Sequence, residues 1–132
     1  MKQLVPMDNY GVFADGKDTA RANSLIVAEM FGKEHKHVLE SIRKITEPKS
    51  GLSDEFRERN FALSSYKDST GRKLPCYEMT RDGFTLLAMG FTGSRAMQFK
   101  EAYIKRFNEM EKFIRTVVTA RKDFPLLTEN IS

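Results

Sequence analysis

Residues 24–45 carry the sequence SLIVAEMFGKEHKHVLESIRKI, which decides the predicted fold. Ser24 is a favourable N-cap, and the apolar residues that follow it have helical spacing. Gly32 can adopt the left-handed conformation that ends a helix. The stretch therefore begins with one short predicted helix that ends at a glycine.

A second helix is predicted from residue 33 or 34 to residue 45. Its apolar residues recur at the spacing of one buried helical face, while most of its charged residues lie off that face. The apolar stripe consists of Val38, Leu39, Ile42 and Ile45. A short helix, a break at glycine and a helix with a polar face are the pattern of a helix-turn-helix unit.

Two β-hairpins are predicted around this unit. In the first, residues 11–14 and 17–20 flank Asp15-Gly16, a favoured pair for a two-residue turn. In the second, residues 61–67 and 72–79 are joined by a four-residue loop. Pro75 favours an edge position in that ribbon. A hairpin with a basic tip after a helix-turn-helix is typical of a wing.

The rest of the chain is predicted to be helical. Ser53 and Thr80 are expected N-caps of two short helices, and Ser94 is the expected N-cap of a long helix that extends to Lys122. The predicted fold class is therefore α+β: a winged helix-turn-helix-like domain over residues 1–93, then a long basic helix over residues 94–122. Residues 123–132 are expected to form a tail, either of a naturally short chain or of a truncated one.

Composition excludes several classes of protein. The chain has 132 residues, 40% of them hydrophobic and 30% charged, which is typical of a folded domain and not of a disordered one. No apolar run approaches the roughly 18 residues of a membrane span, and the N-terminus lacks the apolar core of a signal peptide. One cysteine permits no internal disulfide, which fits a reducing cytosol.

The sequence contains no recognisable catalytic or metal-binding arrangement. No glycine-rich loop has the spacing that cradles phosphates in nucleotide-binding proteins. His35 and His37 are two residues apart, on different sides of a helix, and Cys76 has no predicted partner base. We therefore expect neither an enzyme nor a metal or other cofactor.

Basic residues indicate an anionic partner. The formal net charge is +4, and residues 94–122 carry eight Lys or Arg against three Asp or Glu, a net of +5. Cations on the second helix could contact phosphates, its histidines could reach base edges, and the hairpin cations could contact the DNA backbone. The candidate DNA-binding residues are Lys33, His35, Lys36, His37, Arg43, Lys44, Arg72 and Lys73. The alternative is that they are ordinary solvated charges.

The long helix has three interpretations: a core helix, a dimerisation helix or a second basic surface. Its apolar residues recur at spacings of four, three, four and three, which is a short heptad seam. These candidate dimer-interface residues are Tyr103, Phe107, Met110, Ile114 and Val117. Helix-turn-helix proteins usually bind twofold operators as dimers, which favours a homodimer.

Two blocks of sequence resemble the phage regulatory protein Rha family. The first is SLIVAEMFGK at residues 24–33, followed by His35 and residues 37–39. The second contains YEMTRDGFTLL at residues 77–87, MGFTG at 89–93, FKEAYI at 99–104 and FNEME at 107–111. The similarity extends over roughly residues 10 to 113.

The resemblance implies a regulator encoded by a temperate phage or prophage. It implies a DNA-binding domain related to the KilA-N and BRO-N type, acting in the bacterial cytoplasm on double-stranded DNA. The alternative is an antirepressor or anti-host factor that binds a phage or host protein. Family members are often longer, with a further C-terminal region.

Overall fold

The computed structural model describes residues 3–5 and 8–123, with side chains from residue 8 onward. Along the chain lie β1 (Gln3–Val5), β2 (Val12–Asp15), β3 (Ala20–Asn23), α1 (Ser24–Met30), α2 (His35–Thr46), a 3-10 turn (Pro48–Ser50), α3 (Asp54–Asn60), β4 (Phe61–Lys67), β5 (Lys73–Met79), α4 (Arg81–Ala88) and α5 (Ser94–Asp123). The predicted α+β class and the long C-terminal helix are confirmed. Of the predicted tail, residues 124–132 lie outside the described residues.

The two predicted hairpins belong to one antiparallel sheet with the strand order β1-β2-β3-β5-β4. The join is short: Ala22 pairs with Met79 and Asn23 with Glu78. Beyond that point β5 is paired with β4 alone, so the distal half of the β4–β5 hairpin extends past the rest of the sheet. Pro75 lies in this extension, where its missing N–H costs no ladder hydrogen bond, so the expected edge position is confirmed.

The prediction of a two-residue turn at Asp15-Gly16 is wrong. Strand β2 continues to Asp15, and four residues separate it from β3. The Asp15 carboxylate is fully buried and accepts hydrogen bonds from the backbone N–H groups of Lys17 and Thr19 and from the Arg21 side chain. These bonds stabilise a longer turn, in which Asp18 adopts the positive φ.

The N-cap of α1 is Asn23, one residue before the one predicted. Its side-chain oxygen accepts the backbone N–H of Leu25. The Ser24 hydroxyl is fully buried and accepts the backbone N–H of Tyr77 instead. Gly32 has φ of +66° and lies just beyond the helix, and the side chains of Ser53 and Thr80 cap α3 and α4, as expected.

One hydrophobic core joins the sheet to α1, α2, α4 and α5. It includes small residues of β2 and β3, among them Ala14 and Ala22, and aromatic residues of α4 and α5. The helix α5 lies across β2 and β3, where small strand residues leave room for Tyr103 and Phe107. Each of these aromatic side chains contributes about 1.5–3 kcal/mol by burial. The core is thus continuous across residue 93.

Candidate nucleic-acid interface

The helix α2 separates apolar from charged side chains as its sequence predicts. Its core side consists of Val38, Leu39 and Ile42, which are buried, while Ile45 is half-buried. Five of the six candidate DNA-binding residues at and before this helix are exposed to solvent; they are Lys33, Lys36, His37, Arg43 and Lys44. A helical period of 3.6 residues places the two sets on different sides.

His35 is the exception among these candidates, because it points inward. Its Nε2 lies 2.9 Å from the Ser24 hydroxyl oxygen, and its ring centroid lies 5.8 Å from that of Tyr66 in β4. Burial lowers the pKa of His35, with a smaller opposing effect from the Glu29 carboxylate. The side chain thus joins the start of α2 to the distal half of the β4–β5 hairpin.

Carboxylates neutralise only part of the cationic surface of α2. Lys36 lies 3.3 Å from Glu34 in an exposed ion pair, and Glu40 is exposed on the same helix. Within the part of the chain that the structure describes, Arg43 and Lys44 form no ion pair. These two cations are therefore the α2 charges most available to an external anion.

A groove between α2 and α4 adjoins these cations. It has a volume of about 370 Å³ and is lined by His37 and Lys44 of α2, by Lys33 before that helix, and by Leu87 and Phe91. The ammonium group of Lys33 lies 4.9 Å from the centre of the Phe91 ring, within the range of a cation–π contact. The sequence pattern does not predict this groove, because the periodicity of α2 carries no information on how α4 packs against it.

A second hollow of about 470 Å³ continues the groove. It shares Lys44, Ile45 and Leu86 with the first and extends to Leu52 beyond the 3-10 turn. Together the two hollows combine apolar side chains with a cationic rim. Neither is lined by a carboxylate among the described residues.

The tip of the β4–β5 hairpin is ordered by Asp68. Its carboxylate accepts hydrogen bonds from the backbone N–H groups of Thr70 and Arg72 and from the Thr70 hydroxyl. These hydrogen bonds lower the pKa of Asp68, and the bond from the Thr70 hydroxyl has the largest effect. Arg72 also forms an exposed ion pair with Asp68 at 3.2 Å, so part of its charge is used within the turn.

The hairpin carries a further cation, Lys67, that was not among the residues predicted from the sequence. Lys67 lies directly opposite Lys73 across the ladder, and both side chains are exposed. Like charges at opposed positions are unfavourable in isolation. Cross-strand partners share a face of the hairpin. Knowledge of the strand register would therefore have placed Lys67 on the same face as Lys73.

Three of the five residues proposed for a dimer seam are buried within one chain. Tyr103, Phe107 and Ile114 belong to the hydrophobic core, and the Tyr103 hydroxyl donates to the backbone carbonyl of Tyr10 at 2.7 Å. Met110 and Val117 are half-buried. The seam thus faces the sheet of its own chain.

The side chains of Cys76 and Ser24 are packed inside the fold and are not accessible to a substrate. Cys76 is fully buried beside the Asn23 amide, and burial raises the pKa of its thiol. Ser24 is likewise inaccessible. In residues 8–123 no three His, Cys, Asp or Glu side chains are grouped to hold a metal ion, and no helix among the described residues is long and apolar enough to cross a membrane.

These features define a small α+β domain with exposed cations on α2 and a β-hairpin that contacts the start of that helix. Comparison with known proteins gives the particular family. The chain belongs to the family described as phage regulatory protein Rha, whose family model matches residues 22–112. The matched region begins in β3 and ends within α5, so it contains both the helix and the hairpin.

Three relatives illustrate the range of this similarity. An uncharacterized protein of Haemophilus influenzae is 38% identical over 112 residues, which are 83% of this chain and 63% of that protein. YoqD, a candidate antirepressor derived from the SPbeta prophage of Bacillus subtilis, is 34% identical over 83% of this chain and 43% of its own length. An uncharacterized 22.8 kDa protein of Salmonella phage P22 is 36% identical over 67% of this chain and 43% of its own length.

The chain therefore spans between two fifths and two thirds of the length of these relatives. No solved structure matches it.

Proposed function

We propose that this chain is a DNA-binding regulator of a phage life cycle, encoded by a phage or prophage and acting in the bacterial cytoplasm. The observation that carries the proposal is the exposed pair Arg43 and Lys44 on α2, which form no ion pair among the described residues, together with a hairpin that carries Lys67 and Lys73 and contacts the start of the same helix. Membership of a phage regulatory family supports it. No catalytic step and no cofactor form part of the proposal.

In this proposal α2 acts as the recognition helix. Arg43, Lys44 and Lys36 contact phosphates at the edges of the major groove, and His37 reaches base edges. Lys33 extends the phosphate contacts at the start of the helix. His35 takes no part in base contact, because it is held against Ser24 and Tyr66.

The β4–β5 hairpin acts as a wing on the sugar-phosphate backbone. Arg72, Lys73 and Lys67 supply its charge. His35, at the start of α2, contacts Tyr66 of the hairpin, and in this proposal one duplex meets both the helix and the hairpin. Backbone contacts of this kind give affinity and register but no sequence information.

The direct test is a selection of DNA fragments with the purified full chain, followed by affinity measurements over a range of salt concentrations. Arg43→Gln with Lys44→Gln should reduce the slope of log K against log salt by about 0.9 for each lost phosphate contact. Arg59→Gln is the control, since Arg59 already pairs with Glu55 on α3. No enriched sequence, together with an unchanged slope, would contradict the proposal.

A second candidate is an antirepressor that binds another protein. The observation that favours it is the groove between α2 and α4, whose apolar floor and cationic rim suit an amphipathic acidic segment. The name of the related YoqD protein points in the same direction. A protein interface of this kind should persist at high salt and should be weakened by Leu86→Glu in the groove. Binding through phosphate contacts should instead be lost at high salt and should be less sensitive to a change at Leu86.

A homodimer is part of the proposal, because twofold operators place two recognition helices about 34 Å apart. With Tyr103, Phe107 and Ile114 already buried, the two subunits would meet through other surfaces. Light scattering at tens of micromolar tests this directly, and a monomer at that concentration would contradict it.

A further inference from the structure

The outward side of α5 carries a regular row of polar residues, here called the α5 stripe. Its members recur at spacings of three and four, and all are exposed: Lys105, Asn108, Lys112, Arg115, Thr119 and Lys122. Because an α-helix advances 100° per residue, they lie on the side of α5 opposite the buried residues Tyr103, Phe107 and Ile114. The packing of α5 on the sheet thus leaves this row facing solvent.

The α5 stripe has a clear surplus of positive charge. Lys112, Arg115 and Lys122 form no ion pair within the described residues, and Lys105 lies 3.9 Å from the exposed carboxylate of Glu101. Asn108 and Thr119 add neutral hydrogen-bond donors between the cations.

Two acidic residues of this part of α5 contact other arginines, whereas Asp123 is exposed at the end of the α5 stripe. Glu109 flanks the α5 stripe, and its carboxylate lies 4.0 Å from Arg106. Glu111 accepts a bond of 2.6 Å from Arg81 on α4. The surplus along the stripe is therefore only partly screened by its neighbours on the helix.

The α5 stripe itself contains no apolar residue; the exposed Ile104 adjoins it one turn before Asn108. A shallow hollow of about 410 Å³ is lined by Lys112, Arg115, Thr116 and Thr119. Phe113, which is 47% exposed, lies about a quarter-turn away from Lys112. Protein interfaces depend on desolvated aromatic or aliphatic anchors, whereas a polyanion can be held by cations alone. The chemistry of the stripe thus fits a polyanion better than a protein.

We propose that the α5 stripe binds the sugar-phosphate backbone of double-stranded DNA, as a second contact surface beside that of α2 and the hairpin. The inference rests on the proposed function. From Lys105 to Lys122 the stripe extends about 25 Å at 1.5 Å per residue, which equals about seven base pairs at 3.4 Å each. This contact adds affinity without sequence preference, because it reaches only phosphates.

The test uses Lys112→Gln with Arg115→Gln in the full chain and a duplex of about 20 base pairs. Affinity is measured by fluorescence anisotropy between about 50 and 200 mM salt. Loss of two phosphate contacts should reduce the slope of log K against log salt by about 1.8, so that the salt-induced loss of affinity becomes roughly tenfold smaller. The reduction should be the same for preferred and unrelated sequences.

Lys49→Gln with Arg95→Gln is the matched control, since it removes the same charge from exposed positions off the α5 stripe. Circular dichroism on each variant checks that it is folded. A slope that is lowered by the α5 substitutions and not by the control substitutions supports the proposal, even if the α2 substitutions leave the slope unchanged. A slope lowered only by the α2 pair, or equally by the control pair, overturns it and leaves DNA binding intact.

Absence of salt-dependent DNA binding by the unaltered chain would overturn the proposed function and this inference together. If the α5 variants bind DNA normally but lose an acidic protein partner, the stripe is a protein surface and the proposal fails.

Discussion

The helices α2 and α5 both present cations to solvent, but the surfaces next to those cations differ. Beside α2 lie an apolar groove and the hairpin, so charge is combined with shape. On the outward side of α5 the cations line only a shallow hollow that contains no apolar residue. The difference teaches that net charge alone does not define a recognition site. A selective surface needs structure around its cations, whereas a backbone contact needs only their spacing.

The largest effect should come from the inward side of α5. Ile114→Glu places a carboxylate at a position that is 6% exposed and should destabilise the fold by about 3–5 kcal/mol. Phe113→Glu, one residue earlier and 47% exposed, is the control and should cost less than about 1 kcal/mol. Urea denaturation measures both. Equal small losses would mean that α5 does not belong to the core.

The comparison is sharpened by combining the two surfaces. The four-residue variant with Gln at positions 43, 44, 112 and 115 should lose about 3.6 units of the salt slope if each cation contacts one phosphate. The α2 and α5 pairs should contribute additively, because distant sites are independent. Measurement of both pairs and their combination over the same salt range checks this. A combined loss no larger than that of one pair would show that only one helix contacts DNA.

The hairpin should behave like α5 and unlike the groove side of α2. Arg72→Glu with Lys73→Glu should weaken binding to every DNA sequence by a similar factor, on the order of tenfold, because the proposal has these residues contact only the backbone. Competition between a selected site and unrelated DNA measures the effect. A loss confined to the selected site would instead assign base contacts to the hairpin.

The smallest effect concerns His35. Its pKa is lowered in the folded chain, so the unfolded chain binds the proton more readily. The contribution of His35 to stability is therefore present above the ordinary value of 6.5 and is lost as the pH falls through the folded pKa.

His35→Gln should consequently reduce the loss of melting temperature between pH 8 and pH 5 and should cost about 1 kcal/mol at neutral pH. His37→Gln, at an exposed position on the same helix, is the control. Thermal melts at both pH values provide the measurement. Identical pH profiles for the two variants would remove His35 from its structural role.

Local pattern predicted most of the elements. The stripe Val38, Leu39 and Ile42 defined the buried side of α2, because helical periodicity is a property of the segment itself. Likewise, Thr80 was identified as a cap from its residue type and position. These features depend on neighbours within one turn of the chain.

Features that depend on distant partners could not be predicted. His35 has the same local pattern as His37, and only the packing of Ser24 and Tyr66 distinguishes the two. The seam at Tyr103 has heptad spacing whether it meets a second subunit or a sheet of the same chain. The small residues of β2 and β3 that accept α5 are far away in sequence.

The central claim is that the cations of α2, the hairpin and α5 hold a phosphate backbone, and the salt dependence of DNA binding by the unaltered chain tests it most directly. Fluorescence anisotropy with a duplex of about 20 base pairs gives the slope of log K against log salt. At least five phosphate contacts are expected, so the slope should be steeper than about −4. A slope between 0 and about −1, or no binding at about 50 mM salt, would contradict the account.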